Sequence, residues 1–252
     1  MPRFSGSRNE GLFYIEKPSD CAEVEVKIFF IFFAITHNYP VRFCMSRAKT
    51  VLFGGTFDPI HIGHTTVAES AAGIIGAEKV IFIPAKKSPL KTAWPVTSDE
   101  ERLQMIRLAI ADNPRFEVSD YEIGKDVPSF TIETVRFFKA GLGSDTEIYW
   151  LTGADNVDEL SRWYKAAELI DECNLAVMYR AGYERPDFSK FKKNLGEKQV
   201  AKLQKNVVAT PLVDISSTEI RKLVAAGKDV SSMLAPAVLN YICTHNLYRV
   251  KE

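Results

Sequence analysis

Two short runs of this 252-residue chain carry residue types suited to phosphate chemistry. The first is Gly54-Gly55-Thr56-Phe57-Asp58-Pro59-Ile60-His61-Ile62-Gly63-His64. Its glycines permit a sharp turn and a close approach of backbone to a ligand, and the N–H groups that open a following helix favour anionic oxygen. His61 and His64 meet at that mouth. Imidazole can donate to a phosphate oxygen, and it can carry positive charge where a polyanion raises its pKa, so the pair suits a reaction in which charge builds on phosphorus. The second run is Val213-Asp214-Ile215-Ser216-Ser217-Thr218-Glu219-Ile220-Arg221. Hydroxyls at Ser216, Ser217 and Thr218 open a helix and can receive a polyphosphate, while Arg221, one turn inside, offers a rigid planar fork. Ser216 and Glu219 also have the spacing of a simple capping box.

The elements that must position these runs follow from hydrophobic pattern. Residues 50–53 form an apolar strand before the first run, and 65–75 read as a helix after it. Further strands are expected at 79–84, 116–118, 147–151 and 175–179, with helices at 98–111, from 128 onward, and at 236–245. Strands alternating with helices predict an α/β fold with a doubly wound, mostly parallel sheet, and ligands beyond the strands' carboxyl ends. The loop 85–94 lies at such an end and carries Lys86, Lys87 and Lys91. Asp155, past the fourth strand, can accept from ribose hydroxyls or cap the helix that follows. Thr131 at a helix start suits a cap of the backbone. Trp163, with Tyr164 beside it, offers a flat stacking surface or packs beneath the helix reaching Ile170. The lysine-rich 188–205 reads as a surface connection without pattern.

Composition bounds the rest. Lys plus Arg and Asp plus Glu both total 32, so no general nucleic-acid field is expected and anions should bind locally. Cys21, Cys44, Cys173 and Cys243 are scattered without metal spacing, which points to free thiols in a reducing, cytoplasmic setting. The apolar run 28–35 is too short to span a bilayer, and Glu23 and Glu25 before it argue against a signal peptide. The chain is expected to divide into an extension of unknown role, 1–45, and one domain, 46–252, with a natural start at Met45 as a second hypothesis. A homo-oligomer is left open.

The two runs together resemble the His-x-Gly-His nucleotidyltransferases and, within that superfamily, the bacterial nicotinate-nucleotide adenylyltransferases, over about residues 49–249. Ile215 to Arg221 matches the Ile-Ser-Ser-Thr-x-Ile-Arg motif in full. The resemblance implies a Rossmann-like nucleotidyltransferase fold. It also implies transfer of the adenylyl group of ATP to nicotinate mononucleotide, giving deamido-NAD and pyrophosphate in NAD biosynthesis. By it, His61, His64 and Arg221 are catalytic, and Gly54, Gly55, Thr56, Phe57, Asp155, Ser216, Ser217 and Thr218 bind ATP. Lys91, Thr131, Trp163 and Tyr164 would hold the acceptor. Mg²⁺ would travel on the ATP phosphates with no protein metal cage. Departures are Leu90 where relatives commonly have His, Phe130 for Tyr and Ala181 for Pro. Alternatives are nicotinamide mononucleotide or phosphopantetheine as acceptor, or a non-catalytic nucleotide-binding regulator. Trp163, Tyr164 and Ser129-Phe130-Thr131 argue against phosphopantetheine, and the retained His61, His64 and Arg221 against the regulator.

Overall fold

Strand β1 (Ala48–Gly55) buries both its faces, Val51 and Phe53 toward one core cluster and Leu52 toward another. A strand covered on both sides belongs in the interior of a parallel sheet. The computed structural model describes residues 47–86, 94–125, 129–180 and 184–249, apart from the side chains of Asp155, Asp158 and Arg180. The extension with its expected start at Met45, together with Leu90, Lys91 and Ala181, lies outside the described residues.

After β1 come α1 (Ile62–Ile75), β2 (Lys79–Pro84), α2 (Asp99–Ile110), β3 (Phe116–Val118), α3 (Thr131–Leu142) and β4 (Thr146–Gly153). A 3₁₀ turn (Ala154–Arg162), α4 (Ala166–Glu172) and β5 (Asn174–Arg180) follow. The chain then forms a second 3₁₀ turn (Ser189–Phe191), α5 (Lys192–Leu195), α6 (Glu197–Lys205), β6 (Val207–Thr210), α7 (Ser217–Ala225) and α8 (Pro236–Thr244). The six strands pair in parallel in the order β3-β2-β1-β4-β5-β6. This is the doubly wound sheet that the alternating pattern predicts. The order reverses between β1 and β4, and such a switch opens a crevice at the carboxyl ends of those strands.

Helices cover both faces. Ala68, Ala71 and Ala72 of α1 join Met105 and Ile106 of α2, Ile220 of α7 and Val238 of α8 on one side, against Val51, Val80 and Phe82. Small side chains on α1 let that helix approach the sheet closely. On the other side α3, α4 and α6 contribute Ile132, Val135, Leu169, Ile170 and Leu203, against Leu52, Ile81 and Leu175. Ser98 caps α2 and accepts from the Glu101 N–H at 3.2 Å, with Glu101 reaching back to the Ser98 N–H, so this helix begins where its capping box dictates.

The expectation that 188–205 is a patternless connection is corrected. Phe188, Phe191, Leu195, Val200 and Leu203 recur at helical spacing among the lysines, and all are buried in the second cluster. The lysines occupy the solvated face. Strand β6 has four residues, too short a run for hydrophobic periodicity to register, and no pattern in the sequence marked it. No helix among the described residues is long and apolar enough to cross a membrane.

Between β3 and α3, Glu122 is buried and accepts a 2.7 Å hydrogen bond from Thr134 Oγ1, itself wholly buried. Burial pushes its carboxyl up from 4.5 to about 6, opposed by the Thr134 bond and by Lys125. A raised folded-state value means that stability is greatest below the unfolded value and is lost as pH rises through about 6, a loss of about 2 kcal/mol. Glu122→Gln should therefore gain about 2 kcal/mol over the parent at pH 7.5 by urea unfolding, and the gain should shrink toward zero at pH 4.5. An equal difference at both pH values would contradict this account of Glu122.

Candidate active site

Past β1 the chain bends sharply into α1, and Phe57 makes the bend at φ 49°. The glycines do not, which corrects the expectation that they make the turn: Gly54 and Gly55 complete the strand. A Cβ on Gly54 would lie 2.5 Å from Trp150 Cζ2, and one on Gly55 would lie 2.7 Å from Phe57 Cζ. Their missing side chains make room for two rings. The Phe57 ring is buried, 5.5 Å from Phe53 and 5.0 Å from His64, both edge-on.

A bulky residue in the left-handed region costs about 1–3 kcal/mol and persists only where its surroundings hold it. Two anchors do so here. Arg102, wholly buried, donates through Nη1 to the carbonyls of Thr56 and Ala85, each at 2.8 Å, and through Nη2 to Asp99 at 2.5 Å. It thereby ties the exits of β1 and β2 together. The Asp58 carboxylate, 2% exposed, accepts from the Val96 N–H at 2.6 Å, Thr97 Oγ1 at 2.8 Å and the Tyr248 hydroxyl at 2.7 Å. Sequence patterns pointed to neither anchor. Arg102 shares the helix face of Leu103 and Ile106, so a charged residue on an apolar stripe was its only signal.

His61 precedes α1 as its N-cap, and its ring stacks on that of His64 with centroids 3.7 Å apart. The His61 N–H donates to His64 Nδ1 at 3.2 Å, so the neutral His64 ring carries its proton on Nε2. Burial lowers His61 from 6.5 to about 4. His61 is therefore a neutral imidazole in the ligand-free protein. Its Nδ1 is buried with no hydrogen-bond partner among the described residues.

Helix α7 is stitched to this turn. Ser216 caps it by accepting from the Glu219 N–H at 3.2 Å. Ser217 Oγ donates to the Pro59 carbonyl at 2.9 Å, and Arg221 Nη1 donates to the Asp58 carbonyl at 2.7 Å while Nη2 reaches Thr218 Oγ1 at 3.3 Å. Two helix N-termini thus open on one cleft of about 740 Å³. Gly54, Gly55, Thr56, Phe57, His61, His64, Ser216, Ser217, Thr218 and Arg221 all line it. So do Asn156 and Met178, which no motif marked. A neighbouring cavity of about 450 Å³ shares Val67, Gly153, Met178 and Val213 with it and extends it along β4 and β5.

The remaining expected residues stand elsewhere. Asp155 lies in the 3₁₀ turn after β4, its side chain outside the described set, and Lys91 is likewise outside it. Thr131 is the first residue of α3. Trp163 closes the 3₁₀ turn with its N–H on the Leu160 carbonyl at 3.1 Å and packs against the second core cluster, its Nε1 buried without a partner among the described residues. Tyr164 is half exposed with its ring 4.6 Å from Phe130. None of these three is among the cleft-lining residues. Among the described residues no group of three or more His, Cys, Asp or Glu could hold a metal ion.

Residues 52–223 match the cytidylyltransferase-like family. The chain is 39% identical over 204 residues to the probable nicotinate-nucleotide adenylyltransferase of Dehalococcoides mccartyi strain BAV1, covering 81% of this chain and 98% of that protein. It is 39% identical over 203 residues to the protein of the same name from Caldicellulosiruptor bescii, covering 80% and 99%. In fold it is similar to Plasmodium falciparum nicotinic acid mononucleotide adenylyltransferase complexed with NaAD, with TM-score 0.63, 20% identity and coverage of 80% and 97%.

Two outcomes follow from the geometry of the turn. In the ligand-free protein the His61 ring should titrate near 4 by NMR, charging only as pH falls well below 6.5; an unshifted midpoint would mean that the ring is not buried as described. Gly54→Ala forces a methyl into Trp150 and should destabilise by about 1–3 kcal/mol in urea. Unchanged stability would show that the indole can withdraw.

Proposed function

The chain belongs to the cytidylyltransferase-like family and, within it, to the nicotinate-nucleotide adenylyltransferases, and we propose from that premise that it transfers the adenylyl group of ATP to nicotinate mononucleotide, giving deamido-NAD and pyrophosphate. The observation that carries this reading is the cleft on which the N-termini of α1 and α7 converge with His61, His64 and Arg221. Two helix N-termini supply N–H groups and positive dipole ends for a triphosphate, in addition to the Arg221 cation. The activity is assigned to residues 46–252, in the cytoplasm, with residues 1–45 as an extension outside the catalytic unit.

The step is a direct displacement. A phosphate oxygen of the acceptor forms a bond to the α-phosphorus in line with the bridge to the β-phosphate, that bridge breaks, and pyrophosphate leaves with the electron pair. His64 donates from Nε2 to an oxygen on which charge grows, a preorganised donor of the kind that stabilises a transition state more than a ground state. His61, neutral and stacked on it, fixes that ring's plane and tautomer. Arg221 uses two of its five N–H groups to hold the turn and Thr218, so the others can face phosphate. The N–H groups that open α7, with the hydroxyls of Ser216 and Thr218, receive the outer phosphates, Ser217 contributing by its backbone because its hydroxyl donates to Pro59, and the first-run residues Gly54 to Phe57 shape the floor. The extension of the cleft along β4 and β5, near Asp155, has room for the nucleoside. Lys91, Thr131, Trp163 and Tyr164 are assigned to the acceptor.

Mg²⁺ fits as a passenger of the nucleotide. The Asp58 carboxylate is already occupied by three donors and no other carboxylate lines the 740 Å³ cleft itself among the described residues, so triphosphate oxygens and water would hold the ion. It supplies neutralisation of phosphate charge when bound.

The decisive assay follows pyrophosphate release from ATP and magnesium with nicotinate mononucleotide, nicotinamide mononucleotide or phosphopantetheine offered separately, with the product confirmed by mass. Preference for the nicotinate acceptor is expected. Preference for another would overturn the substrate, and no turnover with any would overturn the enzyme. His64→Ala should lower kcat by about 10²–10³ with a far smaller change in ATP KM, because one transition-state donor is lost.

A further inference from the structure

We propose that Tyr248 is a positioning residue for the transfer step, acting through the buried Asp58 carboxylate on the turn that carries His61 and His64. This rests on the reading of the cleft as the adenylyl-transfer site. Tyr248 lies beyond the family-model match, which ends at 223, and outside both phosphate motifs.

The tail that delivers it is sharply bent. After α8, Asn246 adopts φ 51° and Tyr248 φ 63°, two non-glycine residues in the left-handed region within three positions. Between them Leu247 is buried, and its N–H bonds the Ile242 carbonyl at 3.0 Å. Such conformations are costly for residues with a Cβ and persist only where contacts hold them. The group that holds Tyr248 lies 190 positions away in sequence: the phenol donates to Asp58 Oδ1 at 2.7 Å, with Met105 Sδ 3.9 Å from the same hydroxyl. Burial, with the Asp58 carboxylate beside it, raises the phenol's pKa and keeps it a donor.

What Asp58 does explains why this bond bears on catalysis. Its side chain is held by Val96, Thr97 and Tyr248, from the loop before α2 and from the tail. Its backbone carbonyl receives Arg221, and the carbonyl of the next residue, Pro59, receives Ser217. A rotation of Asp58 would therefore shift His61, His64 and Arg221 together. Removing the phenol hydroxyl leaves Oδ1 with Thr97 alone in a site shielded from water. Ground-state binding of ATP is spread over α7 and the wider cleft, whereas alignment of donors at the reacting phosphorus matters most in the transition state. The loss should fall on kcat.

The test compares the full-length parent, Tyr248→Phe, Asp58→Asn and the double variant for kcat, both KM values and thermal midpoint, with Thr97→Val as a variant that removes a different donor from the same oxygen. Tyr248→Phe should lower kcat about tenfold with KM within about twofold, and the double variant should be no slower than Asp58→Asn alone, since both break one linkage. Thr97→Val should show the same kcat-selective loss. A Tyr248→Phe kcat within twofold of the parent, losses that multiply in the double variant, or a change confined to the midpoint would overturn the proposal. Should Tyr248→Phe fail to fold, an unchanged kcat in Thr97→Val overturns it and a selective loss upholds it. A parent without turnover on any acceptor would instead refute the reading of the cleft.

Discussion

A phenylalanine held with positive φ between β1 and α1 is the constraint on which the rest of the site depends. Phe57 places its ring under His64 and sends the chain into α1, so that the helix N-terminus opens at the reversal of strand order. Nothing local favours that conformation in a bulky residue. It is held by Arg102 and Asp58, two buried charged groups whose partners come from the exits of β1 and β2, α2 and the loop before it, and the tail. Strain at this point and buried polar bonds around it are two halves of one arrangement, and each is intelligible only with the other.

The electrostatics of the cleft are correspondingly economical. The chain as a whole balances 32 basic against 32 acidic residues, and burial keeps His61 neutral. On the proposed reading, attraction for polyphosphate then comes from helix ends, hydroxyls, imidazole N–H and the guanidinium of Arg221, placed by α7 and the turn it clasps. Donors fixed before the substrate arrives need little reorganisation as charge develops, which is where their advantage over a diffuse basic surface lies.

Much of this was legible in the sequence, and the reasons divide cleanly. Strands of continuous apolar residues separated by amphipathic helices announced the parallel sheet, and the two runs marked the helix N-termini that meet at one cleft, because local patterns encode local structure. Gly54 and Gly55 suggest a turn from sequence, whereas the structure needs them bare because of Trp150, about a hundred residues away, and Phe57. The helices within 188–205 hid because lysines dominate the composition while the five apolar residues among them determine the packing. The partners of Arg102, Asp58 and Tyr248 could not be read at all. Their meaning lies in contacts that join distant segments, and a sequence without its fold carries no mark of which buried charge will meet which carbonyl.

The central claim is spatial: the triphosphate lies between the His61–His64 stack and the N-terminus of α7. A crystal structure with magnesium and a non-hydrolysable ATP analogue tests it most directly. The α-phosphate should lie within hydrogen-bond reach of His64 Nε2, with the outer phosphates on Ser216, Ser217, Thr218 and Arg221 and the turn at Phe57 unmoved. Phosphates bound away from either helix N-terminus, or a turn rebuilt around them, would contradict it.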